Sequence, residues 1–220
     1  MHTRKGFPMA PPVVLPDLQT LTVDAAAALA YLLAGNARFV ANLPLEPHHD
    51  SLYRQQLTQG QHPFAMILGC VDSRVIPELL FDCGFGDLLV IRTAGHAIDE
   101  VTVGSIEFGA DVLEIPLLVV LGHEHCGAVK ATINMLDQHQ TAPDRIAVLV
   151  DHLRPAVAEI DIHAPDRLDA AVRANVVHTV AELQRIPLLA QREQAGLLRI
   201  VGAYYSLVSG AVELLTTPLD

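Results

Sequence analysis

The sequence predicts an α/β fold: a central, mostly parallel β-sheet flanked by helices, with an N-terminal helical arm. Three observations predict it. Short apolar runs of strand length recur at 64–68, 87–91, 117–121 and 197–203. Segments of helical period lie between them, the alternation that builds a parallel sheet with helices on its faces. Hydrophobic residues make up 51% of the 220 and charged ones only 18%, enough apolar material to cover such a sheet.

Taken in order, residues 1–22 read as an arm. His2, Arg4 and Lys5 are not followed by an apolar run, and Pro8, Pro11, Pro12 and Pro16 interrupt the segment, so it does not have the form of a signal peptide. Residues 23–40 form an Ala-rich helix with Leu29, Leu32 and Leu33 at helical spacing and Asp24 as its cap. The polar stretch 42–62, with two prolines, reads as a loop or broken helix. The strands at 64–68, 87–91 and 117–121 are expected to be buried on both faces. Helices are expected at 77–81, 101–113 and 126–136. The stretch 143–192 is mostly helical, with Pro155, Pro165 and Pro187 as boundaries. No composition shift marks a linker, so 23–220 reads as a single domain.

Several function classes are excluded. Lys and Arg total 14 against 25 Asp and Glu, a formal net charge of −11, which is the wrong sign for tracking nucleic-acid phosphates. No uncharged apolar stretch reaches the roughly 18 residues of a membrane span, because Glu107, Asp111 and Glu114 break the one at 101–121. Three cysteines are too few for a disulfide framework in a chain of this length, and without an export signal they are expected to stay reduced in the cytoplasm. Low charge content and an apolar N-terminal helix point to an oligomer.

Ligands of parallel sheets gather at the carboxyl ends of the strands. Three loops rich in chemistry fall there: Gly69 to Arg74, Arg92 to His96, and Gly122 to Gly127. His123 and Cys126 have two residues between them, a spacing that turns both side chains toward one metal where a strand passes into a helix. A lone His-x-x-Cys is mostly coincidence, but Cys70 arrives at a matching strand end. Two thiolates and an imidazole suit zinc, and three protein ligands leave a fourth position open for chemistry. His125 is the competing imidazole; adjoining Cys126, it is expected to point elsewhere. Asp72 and Arg74 can pair, keeping the carboxylate ionised and fixed in direction. Asp72 could then accept from metal-bound water or occupy the open position itself in a closed state. The alternative is an ordinary surface salt bridge.

Cys70-Val71-Asp72-Ser73-Arg74, followed by His123-Glu124-His125-Cys126-Gly127, resembles the paired signature of the β-class carbonic anhydrases. Gly35-Asn36-Ala37-Arg38-Phe39, Gly84-Phe85-Gly86-Asp87-Leu88, the run from Arg92 to Gly95, and Gly202-Ala203-Tyr204-Tyr205 are similar too. The resemblance therefore runs from about Val23 to near the C-terminus. It implies that family's fold and one zinc ion per chain on Cys70, His123 and Cys126, with Asp72 and Arg74 as the catalytic pair. It implies reversible hydration of carbon dioxide to bicarbonate and a proton by zinc-bound hydroxide. Gln61, nine residues before Cys70, matches a substrate-orienting glutamine of plant-type members. The Gly127 N–H matches a donor to bicarbonate, and Leu89, Ala94 and Phe108 match pocket-lining positions, part of that wall coming from a partner subunit. The implied assembly is a homodimer, with a homotetramer as a further step.

Two rival activities share these residues: hydrolysis of carbon disulfide or carbonyl sulfide, and a non-catalytic zinc or redox-sensing role. His96 stands where the family commonly has Asn, and Ser206 where it often has Asp. The chain has no Trp, so the Trp-Arg-Tyr pocket of the bicarbonate-inhibited subgroup is missing. Cys83 matches no ligand position and reads as structural. None of the 11 histidines is singled out as a proton shuttle.

Overall fold

Helix α1, Ala25–Val40, lays one apolar face on the sheet because Ala28, Leu29, Leu32, Gly35 and Asn36 recur at helical spacing. The Asp24 carboxylate caps it, accepting from the Ala27 N–H at 2.8 Å. The structure, a computed structural model, describes residues 23–216; the expected arm at 1–22 lies outside the described residues. A short helix, α2 (Ser51–Gln56), and a 3-10 turn occupy part of the stretch expected to be a loop or broken helix.

From there strands and helices alternate as expected: β1 Ala65–Cys70, α3 Pro77–Leu80, β2 Leu88–Thr93, α4 Glu100–Glu107 and β3 Leu117–His123. Helices α5 Gly127–Asp137, α6 Ile146–Ala158, α7 Arg167–Leu183 and α8 Pro187–Gln194 follow, then β4 Arg199–Tyr205 and β5 Val212–Leu214. The sheet order is β2-β1-β3-β4-β5. The first four strands are parallel and β5 runs antiparallel to β4.

Alternate residues of each strand serve opposite faces. Ile67, Val119 and Val201 pack with Leu29, Leu32 and Phe81 on the α1 side. Met66, Leu68, Leu118 and Val120 pack with Ile106, Val176 and Leu183 on the other. The chain goes from β1 to β2 on one side and then returns to place β3 on the other. The C-terminal ends of β1 and β3 therefore flank the point where strand order reverses, the place such sheets leave a crevice.

Four details differ from the sequence reading. Strand β2 is half-buried rather than covered on both faces, because it is the sheet's edge. The helix expected over 101–113 changes at Phe108 into a π-helical turn, Phe108–Val112. Pro155 lies inside α6 instead of ending it; the buried Val150, Leu153, Ala156 and Val157 hold that helix together across one missing hydrogen bond. Strand β5 is three residues long, too short to show an alternation.

Candidate metal centre

Cys70 ends β1, His123 ends β3, and Cys126 stands one residue before α5. The parallel pairing of β1 with β3 brings the first two side by side, and the turn 124–126 folds the third back over them. The ligand atoms of Cys70, His123 and Cys126 lie within 4.8 Å of one another, and all three residues are buried. His125, with positive φ, points its largely exposed side chain toward the Glu124 carboxylate and stays out of the cluster. Cys83 is elsewhere: its buried thiol donates to the Phe81 carbonyl, and burial pushes it above the ordinary thiol range.

The cluster fits a metal. The His123 Nδ1–H donates to the Glu124 carbonyl at 2.9 Å, which leaves Nε2 as a lone pair. That Nε2 is buried and has no hydrogen-bond partner, an arrangement costly in a buried polar atom unless a ligand completes it. The Cys126 thiol donates to Cys70, which holds the Cys70 thiol well below its ordinary range and pushes Cys126 up. Peptide N–H groups of Gly95 and Asp72 also favour the Cys70 thiolate, with Gly95 N at 3.3 Å from Sγ. Those of Ala128 and Val129, in the first turn of α5, do the same for Cys126.

Beside the cluster, Asp72 and Arg74 form a two-point pair. Arg74 Nε reaches Asp72 Oδ1 at 2.9 Å and Nη2 reaches Oδ2 at 2.7 Å. The Arg74 guanidinium, together with burial opposing it less strongly, holds the carboxyl well below the usual carboxylate range. Asp72 faces Arg74 and is not a member of the three-residue cluster.

The remaining expected residues divide. Gly127 opens α5, whose first-turn N–H groups have no intrahelical acceptor, and Ala94 directly follows the strand paired to Cys70. Gln61 is exposed, in a groove with Arg54, Leu57, Phe85 and Gly86, apart from the metal pocket. Leu89 packs with Met66 against Gly109, and Phe108 is 48% exposed at the start of the π turn. One chain does not bring these three to the cluster.

Three further residues support the site. Arg92 clamps the loop after β1, donating to the carbonyls of Cys70 (2.9 Å) and Asp72 (2.7 Å); its signal is a guanidinium ending an apolar strand. Ser206 donates to the Glu124 carboxylate at 3.0 Å, tying the turn after β4 to the ligand loop. Asn175, a buried amide on the apolar face of α7, donates to the Gly95 carbonyl.

The family model that matches this chain is that of carbonic anhydrase, over residues 65–212. The carbonic anhydrase of Mycolicibacterium smegmatis is 46% identical over 189 residues, covering 86% of this chain and 92% of that one. Carbonic anhydrase 2 of Mycobacterium tuberculosis is 41% identical over 189 residues, covering 86% and 91%. Among solved structures, the Coccomyxa β-carbonic anhydrase in complex with acetazolamide superposes with a TM-score of 0.70 at 27% identity, over 87% of each chain. The family match runs from the first residue of β1 to the first of β5 and so spans the sheet that carries the cluster. The chain belongs to the β-class carbonic anhydrases, a family of enzymes.

Proposed function

We propose that this protein catalyses the zinc-dependent, reversible hydration of carbon dioxide to bicarbonate and a proton. The observation that carries the reading is the unpartnered lone pair of His123 Nε2, buried between two thiol ligands and beside a fixed carboxylate. Cys70, His123 and Cys126 would hold one zinc ion per chain. Zinc bound there supplies a Lewis acid that makes water nucleophilic near neutral pH.

The other residues then orient and exclude. Asp72 Oδ1 accepts two bonds from Arg74 and Oδ2 accepts one, so Oδ2 keeps a lone pair for the proton of the reacting water. Arg74 fixes the direction of that lone pair and keeps the carboxylate ionised. The Gly127 N–H, at the positive end of α5, stabilises the negative charge gathering on the product oxygens.

Gln61, Leu89 and Phe108 do not line the pocket of their own chain. We assign them to the site of a partner subunit, in a homodimer able to assemble further into a tetramer. Exposed Val101, Phe108 and Val112, following the half-buried edge strand β2, support that reading. The free thiols of Cys70, Cys83 and Cys126 are in keeping with a reducing, cytoplasmic setting. Among the described residues no helix is long and apolar enough to cross a membrane.

Stopped-flow carbon dioxide hydration by the zinc-loaded protein tests the activity, with carbon disulfide and carbonyl sulfide hydrolysis run alongside. Rapid hydration and negligible release of sulfide are expected. Sulfide release with no hydration would transfer the site to the rival hydrolases, and silence on all three substrates would sink the catalytic reading.

A further inference from the structure

Beside the cluster a buried amide and a buried imidazole face each other. Asn175 is 3% exposed and His96 is 2% exposed. Both line the enclosed pocket around Cys70, His123 and Cys126. Asn175 sits on the face of α7 that otherwise carries Ala171, Val172, Val176, Thr179 and Val180, where a polar side chain is costly unless fully bonded.

The amide of Asn175 has two N–H protons to donate and one carbonyl oxygen to accept. Its Nδ2 donates to the Gly95 carbonyl at 3.0 Å and lies 3.0 Å from His96 Nδ1. Those two bonds fix which way the amide points. The same Nδ2 lies 3.4 Å from His96 Nε2, so the amide donor meets the edge of a ring that must offer it an accepting nitrogen.

Gly95 and His96 both hold positive φ, at 63° and 47°. Glycine adopts that region freely, whereas for a buried histidine it is uncommon and strained. Ideal Cβ positions at Gly95 would fall 3.1 Å from Leu153 and 3.3 Å from Ala128, so this turn is packed as well as bonded. Its outcome is the aim of one peptide N–H: Gly95 N lies 3.3 Å from Cys70 Sγ. A peptide N–H on a ligand sulfur draws charge from it and favours its deprotonated form. Partners of this kind orient metal ligands and commonly set affinity by about 10–100-fold.

We propose that Asn175 is a positioning residue of the metal centre, holding the Gly95–His96 turn so that the Gly95 N–H stays on Cys70 Sγ. The bonds of Asn175 go to Gly95 and His96, and it acts on the cluster through Gly95. The proposal rests on Cys70, His123 and Cys126 being the zinc ligands, so its test must separate the two.

The experiment compares the full-length wild type with Asn175→Ala, Asn175→Asp and Cys126→Ser. Zinc affinity is measured by competition with a chromophoric chelator, and the thiolate-to-metal charge-transfer band is recorded after cobalt substitution. The wild type is expected to take up one cobalt with an intense thiolate band that Cys126→Ser loses. The two Asn175 variants should fold but bind zinc about 10–100-fold more weakly, with a shifted cobalt band. Asn175→Asp keeps the size of the side chain but turns a donor into an acceptor, so it should not rescue. Variants that melt earlier yet keep the wild-type zinc affinity and cobalt band would overturn the proposal, leaving Asn175 a packing role only. A wild type with no thiolate band would overturn the ligand reading, and the proposal with it. If neither Asn175 variant folds, the cadmium-113 wild type decides: the Asn175 side-chain amide should show scalar coupling to the Gly95 carbonyl carbon, and the Gly95 amide proton scalar coupling to the metal through Cys70; the absence of either overturns the proposal.

Discussion

Asp72 gives both carboxylate oxygens to Arg74, and one of them accepts twice, from the Arg74 side chain and from its backbone N–H at 3.0 Å. The same guanidinium reaches toward the His125 carbonyl at 3.5 Å. The pair therefore spans the loop after β1 and the loop after β3, the two that carry the candidate ligands. Arg74 is half-exposed, its side chain 52% accessible, so the pair contributes little to stability. Its value is directional: a charged acceptor held in one orientation at the rim of the metal pocket.

That relationship predicts coupled losses. Asp72→Asn and Arg74→Ala should each lower kcat for hydration by about 100-fold or more, with the double variant little worse than either. Losses that simply multiply would show two independent residues. Because the Asp72 carboxyl is held below its ordinary range, it stays ionised as pH falls from 8 to 5. A decline in rate over that interval is therefore not its protonation, and a pH-dependent decline should persist in Asp72→Asn at its lower rate.

The ligand assignment is tested by metal content. Cys126→Ser should lose most of its zinc on dialysis, while Cys83→Ser, a thiol bonded to its own turn at the Phe81 carbonyl, should keep one zinc per chain. Full zinc in the first variant would break the assignment.

Burial holds His96 down at about 4, with Cys70, His123 and His152 as the titratable groups around it. Its folded pKa is depressed, so between about 6.5 and 4 the unfolded chain takes up a proton that the folded one refuses. Stability is therefore lost as pH drops through that window. His96→Asn should remove this dependence, narrowing the stability lost between pH 7 and pH 5 by about 2 kcal/mol relative to wild type. Urea denaturation of both zinc-loaded proteins at the two pH values measures it; parallel losses would show that His96 is not buried as a neutral ring.

Gly35 offers a test of packing. A Cβ there would stand 1.8 Å from the Phe81 carbonyl oxygen, so α1 approaches α3 more closely than any side chain allows. Although Ala is the better helix former, Gly35→Ala should cost about 3 kcal/mol, the upper end of what overpacking costs, and lower Tm accordingly. A gain in Tm would contradict the close approach.

The homodimer reading predicts that light scattering gives at least twice the chain mass. Phe108→Asp should shift the protein toward monomer and lower activity with it. A fully active monomer at dilute concentration would refute a shared site.

Much of this protein is legible in its sequence, because the relevant signals are local or carried by strand ends. Apolar runs of strand length mark β1 to β4, and a run of alanines and leucines behind Asp24 marks α1. Cys70, His123 and Cys126 could be singled out since a parallel strand delivers its last residue to one known edge. Tertiary structure decided what depends on contacts distant in sequence. It made β2 an edge strand, which no property of residues 88–93 announces. It gave the motif 35–39 its meaning: Gly35 admits the Phe81 carbonyl, while Asn36 bonds Leu80, Gly210 and Val212. It kept Gln61 and Phe108 away from their own chain's pocket, and it brought Asn175 across 80 residues to the Gly95 carbonyl. The physical reason is one of range. Propensity and periodicity act over a few residues, whereas satisfying a buried amide or admitting a carbonyl needs a partner that only the folded chain brings within 3 Å or so.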